Sequence, residues 1–277
     1  MKSFQELRNF TSSLPENGVL MPVLFIGHGS PMNGIEDNEF SRRWKEMAKQ
    51  IPQPTAVIVV SAHWFTRGTK ITAMDFPKTI HDFGGFPDAL YQVQYPAPGN
   101  PALAGDLAEM VRSTEVEMDH DWGLDHGTWT IIRHMYPDAN IPVLQLSIDY
   151  TKDGSFHFEL ASEMQALRKR GVLIVGSGNM VHNLRMIDWA KLNEPGYGYD
   201  WALEMNDTFK NLIMNGLYDD LIQYNRLGSA GQLAIPTPEH YLPLLYTLGV
   251  SNNKDRIEFF NDMAMGGSLT MTSVKFG

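Results

Sequence analysis

Three short runs of β-branched and apolar residues, each bounded by glycine or serine and each followed by a histidine, constrain this chain more than any other feature. VLFIGHGS places His28 two residues after Val23–Ile26, VIVVSAHWF places His63 after Val57–Val60, and VLIVGSGNMVHN places His182 a few residues after Val172–Val175. A run with no polar alternate face reads as a strand buried on both sides. With helical patterns between the runs, the expected fold is α/β, with parallel strands in a central sheet. In such sheets ligands collect beyond the carboxyl ends of the strands, so residues placed there converge on one site. Neutral imidazole is the commonest metal ligand of proteins, and three of them there point to a metal centre.

The chain has no cysteine, which excludes disulfides, thiolate zinc sites, iron–sulfur clusters and a cysteine nucleophile. Any metal must be held by nitrogen and oxygen, a donor set that suits zinc, iron, manganese or copper. The formal charge of −10 leaves no basic stripe for nucleic acid. The amino-terminal MKSFQELRNFTSSLPENG lacks the apolar core of a signal peptide. No apolar run reaches the ~18 residues that span a bilayer. A soluble cytoplasmic protein is expected, with monomer and homodimer both compatible.

The expected organisation is one α/β domain over residues 1–277, with a central, largely parallel or mixed sheet flanked by helices. Phe4, Leu7 and Phe10 have helical spacing over residues 3–13, and Phe40, Trp44 and Met47 share one face of a helix over 39–50. Further strands are expected at 56–62, 69–74, 141–149, 172–175 and 268–276, and helices at 101–112, from near 128, at 155–170 and within 201–225. A Pro-started helix is expected in PTPEHYLPLLYTLG, with Pro238 introducing it and His240 at its start. The aromatic stretch at 76–101 reads as an ordered functional loop. Trp64, Phe65, Phe83, Phe86, Tyr91, Tyr95, Trp129 and Tyr241 suggest an aromatic-lined pocket.

Nine histidines divide by context. His28 lies between Gly27 and Gly29, which permit close backbone approach. His182 has Asn179 and Asn183 nearby as candidate supporting donors. His126, between Asp125 and Gly127 at the mouth of a helix, is a candidate acid–base or part of a cap. His81 reads as structural, and His120, His134 and His157 as surface or core residues. GSGNMV lacks the third glycine of a dinucleotide fingerprint, and neither GHGS nor GSGN centres a serine between glycines as a nucleophile elbow requires.

Taken together, GHGSPMN, VVSAHWFTRG, TIHDFGGFP, YPAPGNP, DHGTW, GSGNMVHNLR and TPEHYLPLLY resemble the 4,5-DOPA extradiol dioxygenases. These belong to the class III ring-cleavage superfamily, similar to the protocatechuate 4,5-dioxygenase B subunit. The motifs run in order from residue 21 to about 248. The resemblance implies His28, His63 and His240 as metal ligands, His182 as a fourth ligand or the catalytic acid–base, and His126 as a residue of the substrate site. Protocatechuate-type relatives use a glutamate as third ligand; here Glu239 and His240 stand side by side, and the DOPA branch favours His240.

The activity so implied is cleavage of a catechol by O2 at non-haem Fe(II), with three protein ligands on one face leaving room for substrate. His182 is the expected general base on a catechol hydroxyl and later the general acid, and His126 the expected hydrogen-bond donor. With DOPA the product is 4,5-seco-DOPA, the precursor of betalamic acid. Two other readings remain open: a zinc hydrolase built on the same histidines, with Zn(II) also able to fill the site of an iron enzyme, and a non-catalytic binding protein on this fold.

Overall fold

The computed structural model describes residues 18–192 and 194–277, so the helical spacing at 3–13 falls outside the described residues. Strands β1 (Val23–Gly27), β2 (Ala56–Thr66) and β3 (Thr69–Thr72) come first. β4 (Lys78–Thr79) precedes β5 (Val116–Asp119) and pairs with β6 (Gly123–Leu124). β7 (Val143–Asp149), β8 (Val172–Gly178) and β9 (Ile257–Phe260) follow. β10 (Ala264–Met265) pairs with β11 (Leu269–Thr270), and β12 (Ser273–Phe276) ends the series. Eight of these strands form one sheet in the order β5-β3-β7-β2-β8-β1-β12-β9. Its centre, β7-β2-β8-β1, is parallel, while β12 and β9 add antiparallel to one side.

The apolar runs are continuous because each central strand feeds two separate cores. Ile58, Val60, Ile174 and Phe25 pack into one layer, and Val57, Val59, Val175 and Ile26 into the other. This period-2 division buries every residue of β1 and β8. Helix Glu39–Gln50 covers the second layer with Phe40, Trp44 and Met47, on the face expected from their spacing. Its start is fixed by a reciprocal cap: Asn38 accepts from the Ser41 backbone N–H, and the Ser41 hydroxyl accepts from that of Asn38. Among the described residues, no helix is long and apolar enough to cross a membrane.

Several elements depart from the expected ones. Residues 268–276 form two short strands, because the chain between them carries Met271 across the end of β1. A Cβ at Gly27 would lie 2.6 Å from the Met271 carbonyl oxygen. The helix expected at 155–170 is α-helical only over Gly154–Glu163 and continues as a 3-10 turn over Gln165–Arg170. The carboxy-terminal helix runs from Leu242 to Val250 with Pro243 in its first turn, so His240 lies in the turn before it. The backbone N–H of Asn179 takes the His240 carbonyl at 2.9 Å, which ties that residue to the end of β8.

Two of the histidines given no special role serve the scaffold. His134 Nε2 lies 2.8 Å from the Asn33 carbonyl oxygen. His157 is fully buried, with Nδ1 2.9 Å from the Tyr246 hydroxyl. Burial lowers the His157 pKa to about 4. Its depressed folded-state value has a definite sign: below pH ~6.5 the unfolded chain takes up a proton that the folded chain refuses until about 4. Stability is therefore lost as pH falls through this window, by about 3 kcal/mol from this residue. Urea unfolding of the wild type and His157→Gln between pH 7 and 4.5 is expected to show a slope shallower by about one proton in the variant.

Candidate metal centre

The carboxyl ends of β1, β2 and β8 deliver the site. His28 follows β1 directly, and His63 lies within β2 where its pairing with β7 slips between Val60 and Phe65. Such an irregularity re-aims the side chains within it. His126 opens helix His126–Met135, which Asp125 caps by accepting from the Thr128 N–H at 3.1 Å. The loop after β8 brings His182, held through its N–H to the Ala234 carbonyl, and the turn before the last helix brings His240. Five of the nine histidines thus line one hollow. His81, whose Nε2 meets the Val93 carbonyl at 3.0 Å, is structural as expected, and His120 is exposed.

Glycine makes this approach possible. A Cβ on Gly127 would stand 2.5 Å from Ser61 Oγ and 2.9 Å from the His63 ring. A Cβ on Gly178 would lie 2.1 Å from the His240 carbonyl oxygen. Neither contact has a flexible side-chain end that can move away cheaply.

The rings of His28, His63 and His240 form a nearly equilateral triangle. Their centroids are 5.0 Å (His28–His63), 5.3 Å (His28–His240) and 5.1 Å (His63–His240) apart. With metal–nitrogen bonds of about 2.0–2.1 Å, three imidazoles sharing an ion place their centroids roughly 4.5–5.2 Å apart. The His28 and His63 Nε2 atoms are 3.1 Å apart, again the spacing of two nitrogens on one ion. His126 joins His28 and His63 within a 4.8 Å set of possible ligand atoms, and His182, Glu239 and His240 form a second such set. Yet the His126 ring is only 3.8 Å from that of His63, close for two ligands that must diverge around a common ion.

Supporting hydrogen bonds settle which nitrogens face inward. The Ser177 hydroxyl donates to the Gly127 carbonyl at 2.6 Å, so at 3.0 Å from His28 Nδ1 it can only accept. His28 therefore carries its proton on Nδ1 and turns an Nε2 lone pair into the hollow. Asp82 Oδ2 pairs with His126 Nδ1 at 3.0 Å and lies 3.4 Å from His63 Nδ1. Desolvation, reinforced by neighbouring imidazoles, holds His28 and His240 well below the usual imidazole range. Burial lowers His63 to about 3 and His182 to about 4. Neutral imidazoles are the form that binds metal.

Sequence reasoning missed Asp82, Ser177 and Asp125. Asp125 is fully buried, accepts from Ser61 Oγ and Gln145 Nε2, and is raised to about 6 chiefly by desolvation. Only the DHG and HD motifs hinted at these carboxylates. Asn179 and Asn183 do not support His182: their amides donate to the Thr270 and Leu233 carbonyls and fix the loop instead. The expected aromatic pocket contracts to one wall. Phe83 packs edge-on to His126 at 5.6 Å, backed by Phe86, Tyr91 and Trp129. Trp64 stacks on Trp122, Phe65 meets Tyr150, Tyr95 bonds the Tyr136 carbonyl and Tyr241 the Leu221 carbonyl. Trp64, Tyr95 and Tyr241 are buried and anchor their segments to the core, whereas Phe65 and Tyr150 meet at the surface.

Residues 22–275 match the family described as the catalytic LigB subunit of aromatic ring-opening dioxygenase. The chain belongs to this family. It is 50% identical over 260 residues to the 4,5-DOPA dioxygenase extradiol of Escherichia coli K12, covering 93% of this chain and 95% of that one. The Beta vulgaris protein of the same name is 34% identical, with 92% of this chain and 96% of that one covered. An uncharacterized Escherichia coli K12 protein of known crystal structure superposes with a TM-score of 0.78 at 42% identity, over 93% of this chain and 100% of that one. Of the activities open from the sequence, the LigB family supports one: the chain is an extradiol ring-cleaving dioxygenase, and the family implies a metal. Ser177→Ala removes the acceptor for the His28 Nδ1 proton. It is expected to weaken metal binding by about ten- to a hundredfold in a chelator competition, with the thermal unfolding transition little changed.

Proposed function

We propose that this enzyme opens a catechol ring with O2 at a non-haem Fe(II) held by His28, His63 and His240, with DOPA cleaved at its 4,5 bond. The near-equilateral ring triangle carries the choice of these three, since it matches one shared ion and leaves the opposite face to substrate. Bound there, Fe(II) supplies a point at which catechol and dioxygen meet and exchange electrons. Zn(II) fits the same donors and would fill the site without redox chemistry. The substrate class is supported by the relatives named 4,5-DOPA dioxygenase extradiol from Escherichia coli, Beta vulgaris and Mirabilis jalapa. A cytoplasmic monomer or homodimer is the setting we infer.

The remaining side chains divide the proton and positioning work. His182 stacks on His240 with centroids 3.6 Å apart and planes within 8°. Held neutral by burial, it keeps a lone pair to take the proton of a catechol hydroxyl, and it can return that proton later as general acid. His126 spends its Nδ1 proton on Asp82 and, while neutral, offers Nε2 as an acceptor toward the substrate. Phe83, edge-on to His126, supplies an apolar wall against which a flat ring can lie and water is excluded.

Anaerobic loading of metal-free protein with Fe(II) or Zn(II), followed by L-DOPA and air, tests the reading directly. Oxygen uptake equal to the yellow product formed is expected from the iron sample alone; no uptake with any catechol would refute it. Site assignments have a separate check by metal analysis after dialysis. His240→Ala is expected to lose metal, whereas His126→Ala and His182→Ala keep it while ring cleavage falls by about a hundredfold or more. Metal lost from the His182 variant would make His182 a fourth ligand.

A further inference from the structure

Asp82 is the one described carboxylate that reaches the ring nitrogens of two of these histidines, and its part in the proposed chemistry so far is confined to His126. Its Oδ1 accepts from the His126 backbone N–H at 2.8 Å, which pins the carboxylate to the first turn of the helix. Its Oδ2 faces His126 Nδ1 at 3.0 Å and His63 Nδ1 at 3.4 Å. The side chain is mostly covered, and burial alone would oppose its ionisation. A carboxylate 3.0 and 3.4 Å from the Nδ1 atoms of two imidazoles is a device for aiming those rings.

We propose that Asp82 is the positioning residue of this centre, one carboxylate that fixes the tautomer and orientation of a metal-binding histidine, His63, and of a substrate-facing histidine, His126. The inference rests on the proposed role of His63 as a ligand. It follows from the two shared contacts that metal hold and substrate contact are linked through a single side chain. The same contacts bring a negative charge next to an all-histidine donor set. The charge that a glutamate ligand would supply directly is then supplied one bond further out.

The test combines affinity with a spectroscopic readout, neither of which depends on turnover. In the Zn(II)-loaded wild type, 15N shifts of the imidazoles are expected to show Nδ1–H and metal-bound Nε2 for His63, and Nδ1–H for His126. Asp82→Asn and Asp82→Ala are expected to weaken Zn(II) and Co(II) binding about ten- to a hundredfold and to change the Co(II) absorption bands, with the unfolding temperature nearly unmoved. Wild-type affinity and Co(II) spectrum in both variants, or Nε2–H on either histidine of the loaded wild type, would overturn the role of Asp82 alone. A wild type that binds neither ion, or a His63→Ala variant that binds both as tightly as the wild type, would overturn the metal reading and this inference with it.

Discussion

Two imidazole nitrogens facing each other at 3.1 Å, His28 Nε2 and His63 Nε2, are the contact on which the rest of this site turns. With the His28 proton held on Nδ1 by Ser177 and, as proposed, that of His63 on Nδ1 toward Asp82, two lone pairs would point at each other across that gap. Such a pair is repulsive unless a cation or a shared proton lies between the nitrogens. Burial depresses the pKa of every imidazole involved, which disfavours the imidazolium form. A metal ion, which the family implies, would satisfy both lone pairs, and the proposed third ligand, His240, closes the triangle around it.

Maintaining that contact demands a rigid frame within a fraction of an ångström, and the fold supplies it from several directions. β1, β2 and β8 lie side by side, so His28, His63 and Ser177 come from adjacent strand ends. Gly127 lets the first turn of a helix press against Ser61 and His63, while Gly178 lets the His240 turn dock onto β8. The caps and carboxylates are part of the same frame. Asp125 holds both the helix and Ser61, whereas Asp82 holds the histidine that this helix presents. None of these side chains need touch a substrate to matter, since a ligand set loosened at one ring loses its common focus.

The central sheet was legible because its strands are buried on both faces and so are written as unbroken apolar runs. Edge strands were not: Val116–Asp119 is exposed along much of its length, and Ile257–Phe260 pairs on one side only, so neither carries that signature. Helix Glu39–Gln50 could be read from Phe40, Trp44 and Met47, whose spacing matches one buried face. The start of the last helix could not, because Pro238 satisfies the local rule while a long-range bond from Asn179 to the His240 carbonyl decides the boundary. His28, His63 and His182 stood out by type and by their place beyond strand runs, and His126 and His240 by type and by their place at expected helix starts. Asp82 and Ser177 did not, since a hydrogen bond to a distant ring leaves no pattern in local sequence. The aromatic residues misled for a related reason: a loop uses large rings to bury itself, and composition does not say which ring faces a cavity.

An all-histidine donor set changes where negative charge must sit. A glutamate ligand would neutralise part of a divalent ion within its own bonding shell, but the ring triangle leaves Glu239 behind His240, where its Oε1 lies 3.4 Å from Nδ1. Three neutral ligands would bring no charge of their own, and His28 and His240 are both buried. Asp82 and Glu239 stand behind two different rings of the triangle, His63 and His240, with the neutral Ser177 behind the third. Each carboxylate pulls on an Nδ1 proton and makes the opposite nitrogen a stronger donor. The arrangement thereby recovers, through imidazole rings, much of the electron donation that a direct carboxylate ligand gives. In the proposed three-histidine set no carboxylate oxygen would be a ligand, which would leave the open face to a bidentate substrate and O2.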